Sequence, residues 1–554
     1  MTLRRAIVST LLLSLCACAQ TSGETSTPQG AVVFTNATFI TLDGPAPEAM
    51  RVEGGRIAAM GRLADVSGGA DVVDLGGASV IPGVVDSHVH VRELGMDALK
   101  VDLVGATSVD DIVARIREQR PDVAPGEWII GQGWDEGLFA DLGEGGGYPD
   151  AAALSAAFPD NPVALESLHG FGSIANDAAL EIAGVTPETP DPQGGTILRR
   201  ADGSATGVLL TLAQGLVFDH VPAPTQDQLE AAIVAGLNAM AAAGVTSVHE
   251  AGMSAADVDA FRALAGRDAL PIRVVGMLNG NDAELMEAWF RRGPLDDPDD
   301  WLDINAIKVF FDGSLGSRSA LMSEPYSDAP DQKGTVRITL DDIDQLAIRA
   351  RDHDFQMAVH AIGDEANDCI IASYELRLAE FPYDHRWRIE HAQVLSPTFM
   401  ARAADLGVIA SMQPSHAVGD SAWAEARVGP ERIQRAYAWD SLTDADVPLV
   451  FNSDLPGEPW EPMQTLHFAT TRTKLDGTPT GGWYPEEALG REASLRAMTI
   501  AGAHAAFQDS DLGTLSVGKW ADFVVLDRNP LAAADVRRVE VLDTYVAGER
   551  VSPR

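Results

Sequence analysis

A closed (β/α)8 TIM-type barrel, flanked by a small composite β-sandwich domain built from both chain ends, is the fold class this sequence predicts. Three observations predict it. Eight short apolar runs follow residue 83, most of them separated by helical periodicity. Two groups of β-like pieces stand outside that rhythm, one near each end of the chain. Histidine, lysine and aspartate sit at or near the ends of five of the eight runs, where barrel active sites are built.

The runs are Val84–His90, Val245–Ala251, Pro271–Leu278, Ile304–Asp312, Phe355–Ile362, Trp387–Gln393, Gly407–Gln413 and Val447–Asp454. Helical stretches such as Gln228–Ala243, Leu340–His353 and Pro397–Leu406 lie between them. Eight strand–helix units suit a closed barrel better than an open doubly wound sheet. The length of 554 residues is within reach of a barrel with insertions, and 46% hydrophobic residues supply its core.

Residues 31–82 hold the pieces Ala31–Phe39, Ala49–Glu53, Arg56–Met60 and Ala70–Asp74, and residues 512–554 hold Gly518–Asp527 and Glu540–Ala547. The simplest account pairs both ends into one β-domain and leaves 83–511 as the barrel. Between the first two strands, residues 92–225 break the barrel rhythm and read as a lid and specificity insertion. This stretch contains Trp134, which is expected to wall the pocket, and His169.

Residues 1–20 read as a processing segment. Arg4 and Arg5 precede the apolar run Ala6–Leu15, which is too short to span a bilayer. Leu15-Cys16-Ala17-Cys18 resembles a lipoprotein box with Cys18 acylated; simple cleavage near Ala17 or Ala19 is the alternative. Residues 21–30 are a polar tether. The expected location is the bacterial envelope, as a periplasmic or membrane-anchored lipoprotein that meets a membrane only through its lipid. Cys369 is the one cysteine beyond the signal, so the mature domain has no internal disulfide pair; the thiol is read as buried and inert. Lys plus Arg total 40 against 81 Asp plus Glu, a net charge of −41 that repels nucleic acid and anionic lipid. The partner left is a small-molecule substrate, and Gly, Ala and Leu in the outer helices allow a homodimer.

The chemistry is carried by the strand ends. In Asp86-Ser87-His88-Val89-His90 the two histidines are two apart and point to one side of a strand, placing two imidazoles on one metal ion. His360, His391 and Asp454 close three further strands, and Lys308 lies in a fourth between apolar runs, where a lysine needs a partner. Five strands of one barrel carrying ligand-type residues point to a metal centre. His249, Arg318 and His416 are candidate substrate contacts, together with His169 and Trp134.

These motifs resemble the amidohydrolase superfamily, and within it amidohydrolase family 3, the branch with N-substituted formamide deformylases. Pro82–His90, Lys308–Arg318, His360–Asp364, Ile389–Gln393, Ser411–Pro414, Asn452–Asp454 and Gly513–Asp522 carry the resemblance over nearly the whole mature chain. It implies that His88 and His90 hold one divalent ion and that His360 and His391 hold another. It also implies that Lys308, carbamylated by CO2, bridges the two, and that Asp454 is both ligand and proton acceptor. The implied reaction is cleavage of an amide-type carbon–nitrogen bond, N-formyl or N-acyl, by a metal-activated hydroxide. Zinc suits such donors best, with manganese, iron and cobalt as alternatives. The pattern is broken in the insertion, where Phe171 stands at the position of a family histidine and His169 lies two residues earlier.

Two other enzyme classes lack their motifs. No Gly-x-Ser-x-Gly elbow and no Gly-rich dinucleotide loop after a first strand occurs. The remaining alternatives are hydrolysis of an ester, lactone or cyclic amidine at the same centre, and an inactive metal-binding lipoprotein.

Overall fold

The structure, a computed structural model, describes residues 30–135, 138–139, 148–168, 172–192, 194–379 and 384–552. The proposed signal and lipid-attachment cysteines, and His169, lie outside the described residues.

All eight expected runs form strands of one parallel sheet: β1 (Val84–Val89), β2 (Val245–Met253), β3 (Arg273–Asn279), β4 (Leu302–Phe310), β5 (Gln356–Ala361), β6 (Arg388–His391), β7 (Ile409–Met412) and β8 (Leu449–Phe451). They neighbour one another in chain order, as a barrel requires. Between β8 and β1 the barrel closes without a ladder. There the Asp454 N–H donates to His88 O at 2.9 Å, the His90 N–H to Leu455 O at 3.1 Å, and the Ser453 N–H to the Asp86 carboxylate at 3.0 Å. Parallel register sets Asn279 beside Lys308, Phe310 beside His360 and Ala361 beside His391, so the ligand-type residues share one level at the barrel mouth.

Both chain ends meet in one seven-stranded sheet, in the order 549–550, 541–546, 523–526, 71–82, 32–39, 49–53, 56–61. These strands make up the composite β-domain expected from both chain ends, and the sheet turns back on itself where the Ile57 N–H donates to Lys519 O at 2.9 Å and the Ala521 N–H to Gly55 O at 2.8 Å. Its piece at Ala70–Asp74 runs on to Pro82 because Gly76 and Gly77, both at positive φ, carry the chain past a shift of register. Phe34, Phe523 and Tyr545 pack on one face, with ring centroids 4.5–5.2 Å apart.

The insertion is an α/β unit with a six-stranded sheet and its own apolar core, which includes Ile112, Leu154, Leu165 and Val208. It joins the barrel through helix Val91–Leu99, packed on helix Gln226–Ala242. A Cβ on Gly95 would stand 1.7 Å from Ala232 O, so only glycine permits this approach.

One buried pair ties the barrel to the terminal sheet. Arg273, on β3, donates from Nε and Nη2 to the Asp522 carboxylate at 2.7 and 3.1 Å. Its guanidinium also lies 4.8 Å from the ring of Trp520 and 5.1 Å from that of Trp301. Asp522→Ala would leave this arginine buried without its counter-ion. The expected cost is about 3–5 kcal/mol, read as a lower denaturant midpoint; an unchanged midpoint would show that the two units do not depend on the pair.

Candidate metal centre

Six of the residues singled out in the sequence converge at the barrel mouth. His88, His90, Lys308, His360, His391 and Asp454 line one cavity of about 310 Å³, and His416 lines it too. Asp454 Oδ1 is 3.2 Å from His90 Nε2 and 3.4 Å from His88 Nε2, and its Oδ2 is 3.8 Å from His391 Nδ1. His360 and His391 have ring centroids 4.5 Å apart. Lys308 is fully buried, its Nζ 3.3 Å from His88 Nε2 and 4.1 Å above the Phe310 ring.

Each ring is oriented from behind. Glu390 Oε2 lies 2.6 Å from His88 Nδ1, so the carboxylate accepts the Nδ1 proton and Nε2 keeps its lone pair toward the cavity. Gln413 donates its amide to Asn452 Oδ1 at 2.7 Å, so its oxygen faces His391 Nδ1, 2.8 Å away, and accepts from it. His360 Nε2 is 3.3 Å from Gly313 O, which fixes the proton there; its Nδ1 is buried with no hydrogen-bond partner among the described residues. The Asp312 carboxylate anchors the same corner by accepting from Ile362, Gly363 and Leu321 N–H at 2.8–3.0 Å.

Two ligand-type residues have unusual backbone. In a regular strand Glu390 and His391 would point to opposite sides. His391 instead takes φ +78°, which brings it to the cavity beside its neighbour. Asp454 takes φ +54°. Such conformations cost a non-glycine residue roughly 1–3 kcal/mol and persist where surrounding contacts hold them.

The protonation states suit a cation. Burial, then the Lys308 charge, pushes His88 down to about 4. Burial, then His360, pushes His391 well below the usual imidazole range. Burial alone would raise Asp454, but the His88, His90, His391 and His416 side chains hold it well below the usual carboxylate range. Neutral imidazoles beside an ionised carboxylate are the states a divalent ion needs. Ligand atoms of His88, His391 and Asp454 lie within 4.8 Å of one another, and the unpartnered His360 Nδ1 adds a fourth lone pair. These residues fit a metal centre.

Three other candidates stand elsewhere. Trp134 is buried in the insertion, where its indole N–H donates to Leu165 O at 2.9 Å; it packs that unit and does not wall the cavity. Arg318 is held by a fork to Asp328 at 2.7–3.0 Å and also stays out of the lining. His249 is buried behind the centre, its Nδ1 accepting from Arg388 at 2.9 Å. His169 lies outside the described residues. Among the described residues the insertion contributes nothing to the cavity wall, which comes instead from loops after β4, β7 and β8.

Sequence reasoning did not single out Glu390, Arg388 or Gln413. Arg388 donates to Glu390 at 2.7 Å, to Ser87 O at 2.6 Å and to Ser411 Oγ at 3.2 Å, all within the barrel. The signal was present as two charges of opposite sign, two residues apart, in an otherwise apolar strand.

The chain is similar to known proteins over nearly its whole length. The model of the amidohydrolase family matches residues 71–552. The protein LONG AFTER FAR-RED 3 of Arabidopsis thaliana is 33% identical, covering 94% of this chain and 91% of its own length. The N-substituted formamide deformylase of Arthrobacter pascens is 27% identical, covering 93% and 97%. A solved structure of an uncharacterized metal-dependent hydrolase from Pyrococcus furiosus superposes with a TM-score of 0.75 at 27% identity, over 90% of this chain and 100% of that one.

Glu390→Gln removes the charge that orients His88. Metal affinity, measured by chelator competition, is expected to fall about 10–100-fold; unchanged affinity would remove Glu390 from that role.

Proposed function

This chain belongs to the amidohydrolase family and is a metal-dependent hydrolase, and we propose that it cleaves an amide-type carbon–nitrogen bond, N-formyl or N-acyl, in a small molecule. The observation that carries this reading is the buried Lys308 in the midst of the histidines. An ammonium there would repel cations from the ligand set. Burial brings Lys308 down to about 8, so much more of the amine is neutral near pH 7 than for an ordinary lysine. A neutral amine attacks CO2: the N–C bond forms, a proton leaves, and a carbamate replaces the amine. That new carboxylate would add an anionic ligand for ions that His88 and His90, and His360 and His391, would hold.

Two divalent ions, with zinc best matched to this donor set, would supply Lewis acidity, lowering the pKa of water and polarising the substrate carbonyl. The chain's own residues do the rest. Asp454, held ionised by the histidines around it, accepts the proton of the attacking water and delivers it to the departing amine. The ring of Phe310, with Leu315 and Ile362, shields part of the cavity from bulk water. The name of the Arthrobacter pascens relative describes chemistry of this kind for that protein.

We also propose export, with a lipid on Cys18, on the strength of the charged and apolar order of residues 1–20. Among the described residues no helix is long and apolar enough to cross a membrane.

Elemental analysis of protein lacking residues 1–20 tests the centre. About two equivalents of metal are expected from one ion on each histidine pair, with a carbamate signal in ¹³C spectra after ¹³C-bicarbonate exchange. Lys308→Ala should lose the signal and much of the metal. Asp454→Asn should lower kcat on N-formyl amines by roughly 100-fold or more, the range for a lost general base. Turnover of esters or lactones with none of N-formyl or N-acyl amines would overturn the bond assignment.

A further inference from the structure

The hydrolase reading explains the metal-facing residues of the cavity and leaves its other charged groups without a role. Setting the six ligand-type residues aside, the acidic residues in the lining among the described residues are Asp420 and Glu458, and no described arginine or second lysine lines it. Asp420 ends helix Pro414–Asp420, which follows β7, and accepts from the Tyr437 hydroxyl at 2.5 Å. Glu458 lies on the loop after β8. It rests against the same helix, since a Cβ on Gly419 would stand 2.9 Å from its Oε1. Neither carboxylate has a lysine or arginine within ion-pair distance among the described residues. Burial pushes both carboxyls up, and His416 is the leading charge that opposes it at Glu458.

An adjoining chamber of about 200 Å³ repeats the pattern. It shares His90 and Phe310 with the first. Glu250, 4% exposed, lines it and gives Oε2 to the Val91 N–H at 2.8 Å; among the described residues its other oxygen meets no donor. The chamber's one arginine, Arg92, is already engaged by Asp257 and Glu93. Among the described residues both spaces therefore present partly desolvated carboxylate oxygens with no free cation to satisfy them, beside the hydrocarbon of Phe310 in both and of Leu315, Ile362 and Trp423 in the first. A buried carboxylate without a partner favours a ligand that brings positive charge or N–H donors and disfavours one that brings a second anion.

We propose that this site selects amides whose body is apolar and whose far end carries an ammonium or amidinium group, and that it discriminates against amides bearing a carboxylate. The proposal rests on the hydrolase reading of the same cavity. Asp420 and Glu458 are its specificity-determining residues, with Glu250 receiving the donor end of longer substrates.

The test uses three N-formyl benzylamines of similar size, carrying at the para position ethyl, aminomethyl or carboxylate, and the corresponding ureas as unreactive analogues. Calorimetry on the metal-loaded protein reads urea affinity, and kcat/KM reads turnover. One charge-assisted hydrogen bond corresponds to about tenfold, so the aminomethyl urea should bind about tenfold tighter than the neutral one, and the carboxylate urea more weakly than either. Glu458→Gln should shrink the cation-to-neutral ratio about tenfold, as should Asp420→Asn, while Glu461→Gln, an exposed carboxylate outside the lining, should leave the ratio unchanged. Equal affinities, tightest binding of the carboxylate probe, no binding of any urea, or an unaltered ratio in both cavity variants would overturn the proposal. Discrimination among ureas with no formamide turned over would instead sink the hydrolase reading; turnover without discrimination would keep that reading and remove this one.

Discussion

The whole centre depends on one buried carboxylate. Glu390 is fully buried inside the barrel, where burial alone would drive it to its neutral form. The Arg388 guanidinium, two residues away on the same strand face, and the His88 ring hold it ionised instead. Register brings the histidines to one level, but level is not orientation. The charge on Glu390 decides which nitrogen of His88 carries the proton and so which one faces the cavity. Arg388 then extends the same network to β1 through Ser87, to β2 through His249 and to β7 through Ser411. Four strands are thus tied by one cation, and none of these contacts survives intact without it.

The centre is also where the regular barrel gives way. β6 would waste one of two adjacent functional residues if its alternation continued, and the left-handed turn at His391 lets both serve. The ladder is missing between β8 and β1, and there the backbone of Asp454 bridges to His88. Local irregularity and chemistry coincide because a perfect strand aims side chains only two ways, while a site for several ligands needs more directions.

The eight strands were legible because each is an apolar run of ordinary length, and the residues that meet at the barrel mouth were legible because histidines and an aspartate stand at the ends of such runs. Arg388 and Glu390 were hidden for the opposite reason. Charge alternating with apolar residues in a short strand looks the same whether the charged face meets water or the interior of a barrel. Trp134 and Arg318 sat near the right motifs, but what fixes them is private: the insertion's own core for one, Asp328 for the other. The insertion hid its six strands because several are too short for any period to show. His416 follows β7 by one turn, and only the direction of helix Pro414–Asp420 brings it to Asp454, 3.8 Å away.

The sheet shared by the two chain ends has a bearing on how the molecule is made. Strand Asp71–Pro82 is flanked on one side by an early strand and on the other by Phe523–Leu526, and Arg56 reaches Asp511 across 455 residues of chain. The early strands therefore wait for a partner far later in the chain. Until then they carry an unpaired β-edge, the kind of surface that chaperones cover and that stray chains join. Pairing with Phe523–Leu526 removes it. A chain with that late strand in place and one without it thus differ in a feature that a protease or a chaperone can touch.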